Sequence, residues 1–253
     1  MSQTCEIVTG DGIAEMARLP DQSLAAIISD PPYGNTALEW DTPVDWVAFW
    51  AQADRLVQPN GAIVLFCCGK FTFELARTRW DRFRYKLVWI KDRSVGFLDA
   101  NKRPLRAHED VLVFGTGRTP AYFPQFQAGV AYSGRSKVPS ANHYGGKGEA
   151  ETFNSGRRYP TDVMQFVVRD DEFGLHPTQK PLALMKHLVA SYCPTGGRVA
   201  DPFCGSGSTG AAVVAIGGGR SFWGCERDPK MAEVARRRVS GVTPELFGET
   251  TGG

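Results

Sequence analysis

Residues 198–216 read RVADPFCGSGSTGAAVVAI, and this stretch decides the fold class. Its start, Arg198–Ala200, is typical of a short strand, and the small apolar residues of Gly207–Ile216 are typical of a helix. A glycine-rich turn, Asp201–Gly207, joins them. A strand that enters a helix through such a turn is the repeating unit of an α/β sheet, so the stretch predicts that class.

The same alternation continues along the chain. The predicted strands lie near Glu6–Thr9, Leu24–Ser29, Ala62–Cys68, Lys86–Ile90, Val111–Phe114, Arg198–Ala200 and Phe222–Cys225. The predicted helices are Gly12–Arg18, Asp45–Val57, Phe71–Arg79, Pro181–Tyr192, Gly207–Ile216 and Pro229–Val239. Strands that alternate with helices predict a parallel sheet covered by crossover helices.

The composition excludes several classes of protein. The chain has 253 residues, a formal charge of +2 and 42% hydrophobic residues, which indicates a folded globular protein rather than a disordered polyelectrolyte. Its longest apolar runs have half of the roughly 20 residues that a membrane span needs. No secretory signal is visible, so we expect a cytoplasmic protein without a membrane partner. The six cysteines and four histidines show no zinc spacing, which predicts free thiols and no metal.

Two segments depart from the alternating pattern. Between Gly115 and about Asp171 no period is sustained, which predicts either a small recognition insert or a partly mobile loop. Tyrosines lie among basic residues there, which favours a nucleic acid as the partner of this segment. Residues 77–106 carry ten basic residues against three acids. Phosphate contact and a solvated face whose acids lie elsewhere in space explain this excess equally well.

Residues 29–34, Ser-Asp-Pro-Pro-Tyr-Gly, follow the apolar run Leu24–Ile28. In open α/β sheets, ligands bind beyond the carboxyl ends of the strands, which is where this loop falls. Neither Pro31 nor Pro32 has an N–H, so the loop offers mainly acceptors, together with the aromatic face of Tyr33. An exocyclic amino group on a flat ring has two N–H donors and a π-face and matches it. A plain strand-end turn is the alternative.

The turn at 201–210 has a possible partner in Glu226, which ends the next predicted strand about twenty residues later. Glycines let a ligand approach the backbone closely, and an acid at this spacing can accept hydrogen bonds from ribose hydroxyls. Together they favour a nucleoside-bearing cofactor. A third motif, His-Pro-Thr-Gln-Lys-Pro at 176–181, indicates either a helix start or a carboxylate site at Lys180.

The three motifs in this order resemble the permuted β class of DNA amino-methyltransferases, which act on adenine N6 or cytosine N4. The resemblance implies a doubly wound, mostly parallel seven-stranded sheet with helices on both faces. It also implies catalytic and S-adenosylmethionine-binding parts of one domain at 1–115 and 172–241, a target-recognition insert at 116–171 and a flexible tail at 242–253.

The resemblance also implies site residues. The implied catalytic residues are Asp30, Pro31, Pro32 and Tyr33. The implied cofactor-binding residues are Asp11, His176, Thr178, Lys180, Asp201, Phe203, Cys204, Gly205, Ser206, Gly207 and Glu226. A resemblance of Arg106-Ala107-His108-Glu109 to a recurrent stretch of the family leaves its role open.

The expected reaction is methyl transfer from S-adenosylmethionine to N6 of an adenine flipped out of double-stranded DNA, with Asp30 and the Pro31 carbonyl accepting the amino hydrogens. Adenine is preferred because cytosine members of the family more often have Ser in place of Asp30. The alternatives are cytosine N4, a catalytically silent DNA-binding protein of the same fold, and an RNA or protein amide substrate. A homodimer is left open, and no motif identifies a restriction endonuclease partner.

Overall fold

A computed structural model describes residues 4–34, 43–117, 119–138, 148–168 and 179–243, with only the backbone described at 135–138 and 148–152. The strands are β1 Cys5–Thr9, β2 Leu24–Ser29, β3 Val57–Cys67, β4 Phe83–Val95, β5 Arg106–Gly115, β6 Gln127–Ala128, β7 Tyr132–Val138, β8 Gly148–Asn154, β9 Arg157–Arg158, β10 Val163–Gln165, β11 Arg198–Asp201 and β12 Ser221–Glu226. The helices are α1 Gly12–Met16, α2 Trp46–Leu56, α3 Lys70–Thr78, α4 Leu182–Tyr192, α5 Ser208–Ile216 and α6 Pro229–Gly241, with a 3₁₀ turn at Phe97–Asp99.

Eight strands form the main sheet in the order β1-β12-β11-β2-β3-β5-β4-β10. Strand β5 runs antiparallel to β3 and β4, and the other neighbouring pairs are parallel. The α/β class, the mostly parallel sheet and each strand and helix predicted from the sequence are confirmed. The expected number of seven strands is too low by one, because β10 pairs with the outer edge of β4.

The sheet is buried on both faces. Along β3 the side chains alternate: Ala62, Val64 and Phe66 pack in one apolar cluster with α4, α5 and α6. Ile63, Leu65 and Cys67 pack in another cluster with α1, α2 and α3. Burial on both faces explains why β2 is a continuous apolar run, since a central parallel strand has no solvent side.

The chain divides into two compact units, one formed by Met1–Phe123 with Asp162–Gly253 and the other by Pro124–Thr161. The predicted segments 1–115 and 172–241 fall in the first unit. The second unit is shorter than the expected insert 116–171 at both ends. Residues on either side belong to the first unit, because the Phe123 N–H donates to the Ser191 carbonyl at 2.8 Å and β10 extends the main sheet.

The second unit consists of antiparallel pairs, β6 with β9 and β7 with β8. Its aromatic side chains contact its arginines: Arg157 lies 3.9 Å from the centre of the Phe126 ring, and Arg158 lies 4.9 Å from that of Tyr132. Tyr144 and Lys147, two further residues of the expected recognition insert, lie outside the described residues. Among the described residues, no helix combines the length and apolar character that a membrane span requires.

Candidate active site

Strands β11 and β2 are neighbours in the sheet, and the connections that follow them lead to opposite sides of the sheet. From β2 the chain continues outward through β3, whereas from β11 it continues the other way through β12. Such a reversal opens a crevice at the carboxyl ends of the strands. The loop that begins at Asp30 follows β2, and the glycine turn follows β11, so the two predicted loops meet at this crevice.

Among the described residues, the Asp30 carboxylate has two hydrogen-bond partners. The Tyr33 hydroxyl donates to its Oδ1 at 2.8 Å, and the Lys180 ammonium donates to its Oδ2. The Tyr33 ring stacks on Phe71, with ring centres 4.9 Å apart. Burial and the nearby Asp30 carboxylate raise the pKa of Tyr33 well above its usual range, so its hydroxyl stays a donor.

In this structure Lys180 lies beside Asp30. It was expected in the cofactor-binding set, but its buried ammonium contacts Asp30 and lies 3.4 Å from Oε2 of Glu109. Burial alone would lower the pKa of Lys180, but the two carboxylates outweigh it and hold that pKa above its ordinary value. The group is therefore a permanent cation next to Asp30.

Glu109 and Lys91 were not among the expected site residues. Glu109 lies on β5 with its side chain 16% exposed, and the Lys91 ammonium of β4 contacts its Oε1. Burial would raise the pKa of Glu109, but Lys180 and Lys91 hold that pKa below its usual value. We call Asp30, Lys180, Glu109 and Lys91 the ion network. It alternates carboxylates with ammonium groups and carries no net charge.

Asp30 and Lys180 were expected in the site from their motifs, whereas the only sequence signal for Glu109 was the stretch Arg106-Ala107-His108-Glu109, whose role was left open. Lys91 counted only as part of the basic segment 77–106. Both contacts of Lys180, with Glu109 and with Asp30, join residues that are distant in the sequence. Lys180 and Asp30 are 150 positions apart. A sequence pattern does not reveal such pairs.

Asp201 fixes the two loops to each other. Its buried carboxylate accepts hydrogen bonds from Ser29 Oγ at 2.5 Å, Thr209 Oγ1 at 2.5 Å and the Phe203 N–H at 3.2 Å. Burial raises the pKa of Asp201 to about 6. The residue was expected to bind cofactor, and in this structure its carboxylate accepts hydrogen bonds from donors of the chain itself.

The glycine turn presents its backbone beside Glu226. The Gly205 N–H donates to Oε2 of Glu226 at 3.0 Å, and the Asp228 N–H donates to its Oε1 at 2.9 Å. Gly205 has a φ of +50°, and a Cβ there would meet no atom within 4 Å, so the backbone faces open space. Gly207, with a φ of +80°, instead lies against Ala235, 3.0 Å from the position of a Cβ.

Two further residues of the expected cofactor set point into the protein. The Cys204 side chain is 5% exposed and lies in the core, where burial raises the pKa of its thiol well above the usual range. Ser206 is 4% exposed, and its Oγ lies 3.4 Å from the buried Arg238 guanidinium. Arg238 also donates to Ser208 Oγ at 2.7 Å and so holds the end of the turn. Sequence reasoning missed it because it sits in a run of arginines.

Asp11 caps helix α1. Its Oδ1 accepts the N–H groups of Ile13 and Ala14 at 3.1 and 3.0 Å, and Arg227 donates to its Oδ2 at 2.6 Å. The Ala14 N–H and the arginine lower the pKa of Asp11. Gly12 is needed here because a Cβ would lie 2.0 Å from the Pro202 carbonyl oxygen. Asp11, expected to bind the cofactor, thus links the start of α1 to Arg227, which follows β12, while Gly12 packs against Pro202 of the glycine turn. His176 and Thr178, also expected near the cofactor, lie outside the described residues.

Seven of the ten basic residues of segment 77–106 form two groups at opposite edges of the sheet. The far-edge basic group is Arg79, Arg82 and Arg84, which bind Asp54, Asp81 and backbone carbonyls. The site-edge basic group is Arg93, Lys102, Arg103 and Arg106, which lies near the carboxyl end of β3. One of the two interpretations of this basic segment was a solvated face whose acids lie elsewhere in the fold. It is correct for the far-edge basic group, because Asp54 comes from α2.

The family model described as DNA methylase, of the N6 and N4 type, matches residues 24–237, and the chain belongs to this family. Members of this family take their methyl group from S-adenosylmethionine. The DNA adenine methyltransferase YhdJ of Escherichia coli K12 is 28% identical over 247 residues, which cover 92% of this chain and 82% of that protein. The type II methyltransferase M.BglII of Bacillus subtilis is 28% identical over 264 residues, covering 95% and 70%.

Solved structures share the fold. The M1.HpyAVI–SAM complex superposes with a TM-score of 0.62 at 22% identity and covers 93% of this chain and 100% of that chain. The cytosine-N4-specific PvuII DNA methyltransferase superposes with a TM-score of 0.68 at 17% identity, covering 94% and 87%. The resemblance inferred from the three sequence motifs is therefore confirmed, and the protein is a DNA methyltransferase.

Proposed function

We propose that this DNA methyltransferase transfers the methyl group of S-adenosylmethionine to the exocyclic N6 of an adenine in double-stranded DNA. The observation that carries the proposal is the meeting of two loops at the crevice between β2 and β11. One loop offers the Asp30 carboxylate beside the Tyr33 ring, and the other offers the open backbone of Gly205 beside Glu226.

The second loop fits the cofactor. The open space at Gly205 admits a ligand against the backbone, and the Glu226 carboxylate has acceptor capacity beyond its two N–H partners for ribose hydroxyls. Phe203, Gly205 and Glu226 would hold the cofactor, and Gly207, which packs against Ala235, would shape the turn that presents them. Asp201 and Asp11 would support them, since both carboxylates are engaged within the chain. S-adenosylmethionine supplies a methyl group on a positively charged sulfur, which leaves as a neutral thioether.

Asp30 would act on the amino group. The lone pair of an exocyclic adenine nitrogen is conjugated with the ring and attacks poorly while the group is planar. A carboxylate that accepts one amino hydrogen favours the tetrahedral nitrogen, whose lone pair is free to form the new nitrogen–carbon bond. After transfer the nitrogen is positively charged and releases a proton to Asp30. Positioning and preorganised charge supply the rate enhancement.

Lys180 and Tyr33 would position Asp30. The ammonium holds one carboxylate oxygen and the hydroxyl holds the other, which fixes the plane of the carboxylate before a base arrives. Because the target nitrogen lies inside the duplex, the base must be flipped out. Phe71 backs one face of the Tyr33 ring, so the ring can stack on the flipped base with its other face.

The acidic residue and one relative favour adenine over cytosine. Family members that act on cytosine N4 more often carry Ser in place of Asp30. The relative YhdJ is named an adenine methyltransferase. The target-recognition role would fall to the second unit, Pro124–Thr161, whose arginines lie over aromatic rings.

The test is expression in a bacterial host free of DNA methylation, followed by single-molecule sequencing of its genomic DNA. We expect N6-methyladenine at one sequence motif with the wild type and none with Asp30→Ala. Asp21→Ala is the matched control, because Asp21 is an exposed acid paired with Arg55, and it should methylate like the wild type. Modified cytosine alone would assign cytosine N4, and unmodified DNA would contradict the proposed activity.

A further inference from the structure

The connection between β4 and β5 lies at the same edge of the sheet as Asp30. Cys67, the last residue of β3, pairs with Asp110 of the antiparallel strand β5. The first residues of β5 and the connection before them therefore extend beyond the carboxyl end of β3. Strands β2 and β3 are parallel neighbours, so Asp30 at the end of β2 faces the same side.

This connection exposes two large apolar side chains. Phe97 is 71% exposed and Leu98 is fully exposed, although burial of large apolar side chains stabilises a folded protein. The turn that carries them is ordered by its own hydrogen bonds. The Asp99 carbonyl accepts the N–H groups of Lys102 and Arg103 at 2.8 and 3.0 Å, and the Asp99 carboxylate accepts Arg103 at 2.8 Å. The apolar pair is thus held outward on a structured turn.

The charge around the pair is positive. Three members of the site-edge basic group have side chains 54–82% exposed, namely Arg93, Lys102 and Arg103. The nearby acids are Asp92 and Asp99, and both contact members of this group. A partner with an apolar interior and a polyanionic surface matches an apolar pair framed by cations. Duplex DNA has stacked bases between rows of phosphates and meets both conditions.

We propose that Phe97 and Leu98 enter the DNA duplex as an apolar wedge next to the target base, while the site-edge basic group holds the flanking phosphates. The wedge opens the stack and lowers the free energy needed to flip the target base toward Asp30. This inference rests on the proposed function. It assigns base opening to a turn of the first unit, separate from the residues that contact the amino group.

The test compares the wild type with the double variant Phe97→Ala, Leu98→Ala on two duplexes. Both contain the site mapped by sequencing, but in one the target base is paired and in the other it lies opposite an abasic position, where flipping needs little energy. Because opening the base stack needs free energy mainly on the paired duplex, the variant should lose about 10–100-fold in kcat/KM there and less than about threefold on the abasic one.

Trp80→Ala is the matched control. Trp80 is 66% exposed, lies in the same segment and precedes β4 at the opposite edge of the sheet. Its removal should change neither rate. Equal losses of the double variant on both duplexes, or no loss on the paired one, would overturn the wedge. A change of oligomeric state in sedimentation would assign Phe97 and Leu98 to self-association instead. A wild type that methylates no DNA overturns the proposed function, and the wedge with it.

Discussion

Glu226→Ala should weaken the binding of S-adenosylmethionine, and the structure gives the reason. The carboxylate accepts the Gly205 N–H at 3.0 Å and the Asp228 N–H at 2.9 Å, so it shapes the glycine turn as well as facing the expected ribose. The Asp228 N–H is exposed and can turn to water. The Gly205 N–H is partly buried, and the loss of its charged acceptor should destabilise the protein by about 1–3 kcal/mol.

The effect on binding adds to this. A ribose hydroxyl left without an acceptor in the complex weakens binding by about 1–3 kcal/mol, which corresponds to a rise in Kd of roughly 5–150-fold. Glu226→Gln keeps one carbonyl acceptor and loses the charge, so its Kd should fall between those of the wild type and the Ala variant.

Titration calorimetry with S-adenosylmethionine measures these constants without DNA, and denaturant unfolding measures the change in stability. Glu233→Ala is the matched control, since Glu233 is an exposed acid on α6 that pairs with Arg236 and Arg237. It should bind like the wild type. Equal Kd values for Glu226→Ala and the wild type would remove Glu226 from the cofactor site and refute the reasoning.

Three further predictions concern other parts of the protein. Because burial raises the pKa of Asp201 to about 6, the folded state binds a proton that the unfolded state has lost between about pH 4 and 6, and stability should fall by about 3 kcal/mol as pH rises through this window. Asp201→Asn should remove this fall, and denaturant unfolding at pH 4.5 and 7.5, a range that contains about 2 kcal/mol of it, measures the change; an unchanged pH dependence would contradict it. Removing the four charges of the site-edge basic group should flatten the log–log salt dependence of DNA binding by about one unit for each phosphate that the variant no longer neutralises, whereas removing the far-edge basic group should leave the slope unchanged. Fluorescence anisotropy measures the slopes. Equal slopes for the two variants would contradict the assignment of phosphate contacts to the site-edge basic group alone. Tyr33→Phe should lose only the hydrogen bond to Asp30, about 0.5–1.5 kcal/mol, whereas Tyr33→Ala should lose in addition about 1–3 kcal/mol of stacking. Steady-state kinetics measures both variants, and equal rates for the two would exclude stacking.

The sequence predicts the frame of the site well because the signals are local. A strand, a turn and a helix follow one another at Asp201–Gly207, and the carboxyl ends of parallel strands share one edge. Asp30, Gly205 and Glu226 could be placed at that edge from these patterns alone. The sequence does not show which residues of the turn face the ligand. The packing of α6 decides, for example, that Ser206 points inward to Arg238.

The ion network lies beyond reach of sequence patterns for another reason. Its members come from the loop after β2, from β4 and β5, and from the segment before α4, and they meet only once the sheet has formed. The excess of basic residues counted over 77–106 does not give the local charge of the folded protein for the same reason. Asp54 on α2 pairs with arginines that follow it by 25 positions or more. Strand β10 was not predicted, because three residues are too few to show a strand period. It is defined by its pairing with β4.

Tritiated methyl transfer to DNA, followed by chromatography of the nucleosides, tests the central claim most directly. The wild type should yield N6-methyladenine. Asp30→Ala should lose on the order of 10²–10³-fold in rate, as when one preorganised group is removed at a reacting centre. Its calorimetric Kd for S-adenosylmethionine should stay near that of the wild type, because Asp30 follows β2 and the glycine turn follows β11. Undiminished N6-methyladenine from Asp30→Ala would contradict the mechanism, and modified cytosine as the sole product of the wild type would contradict the substrate.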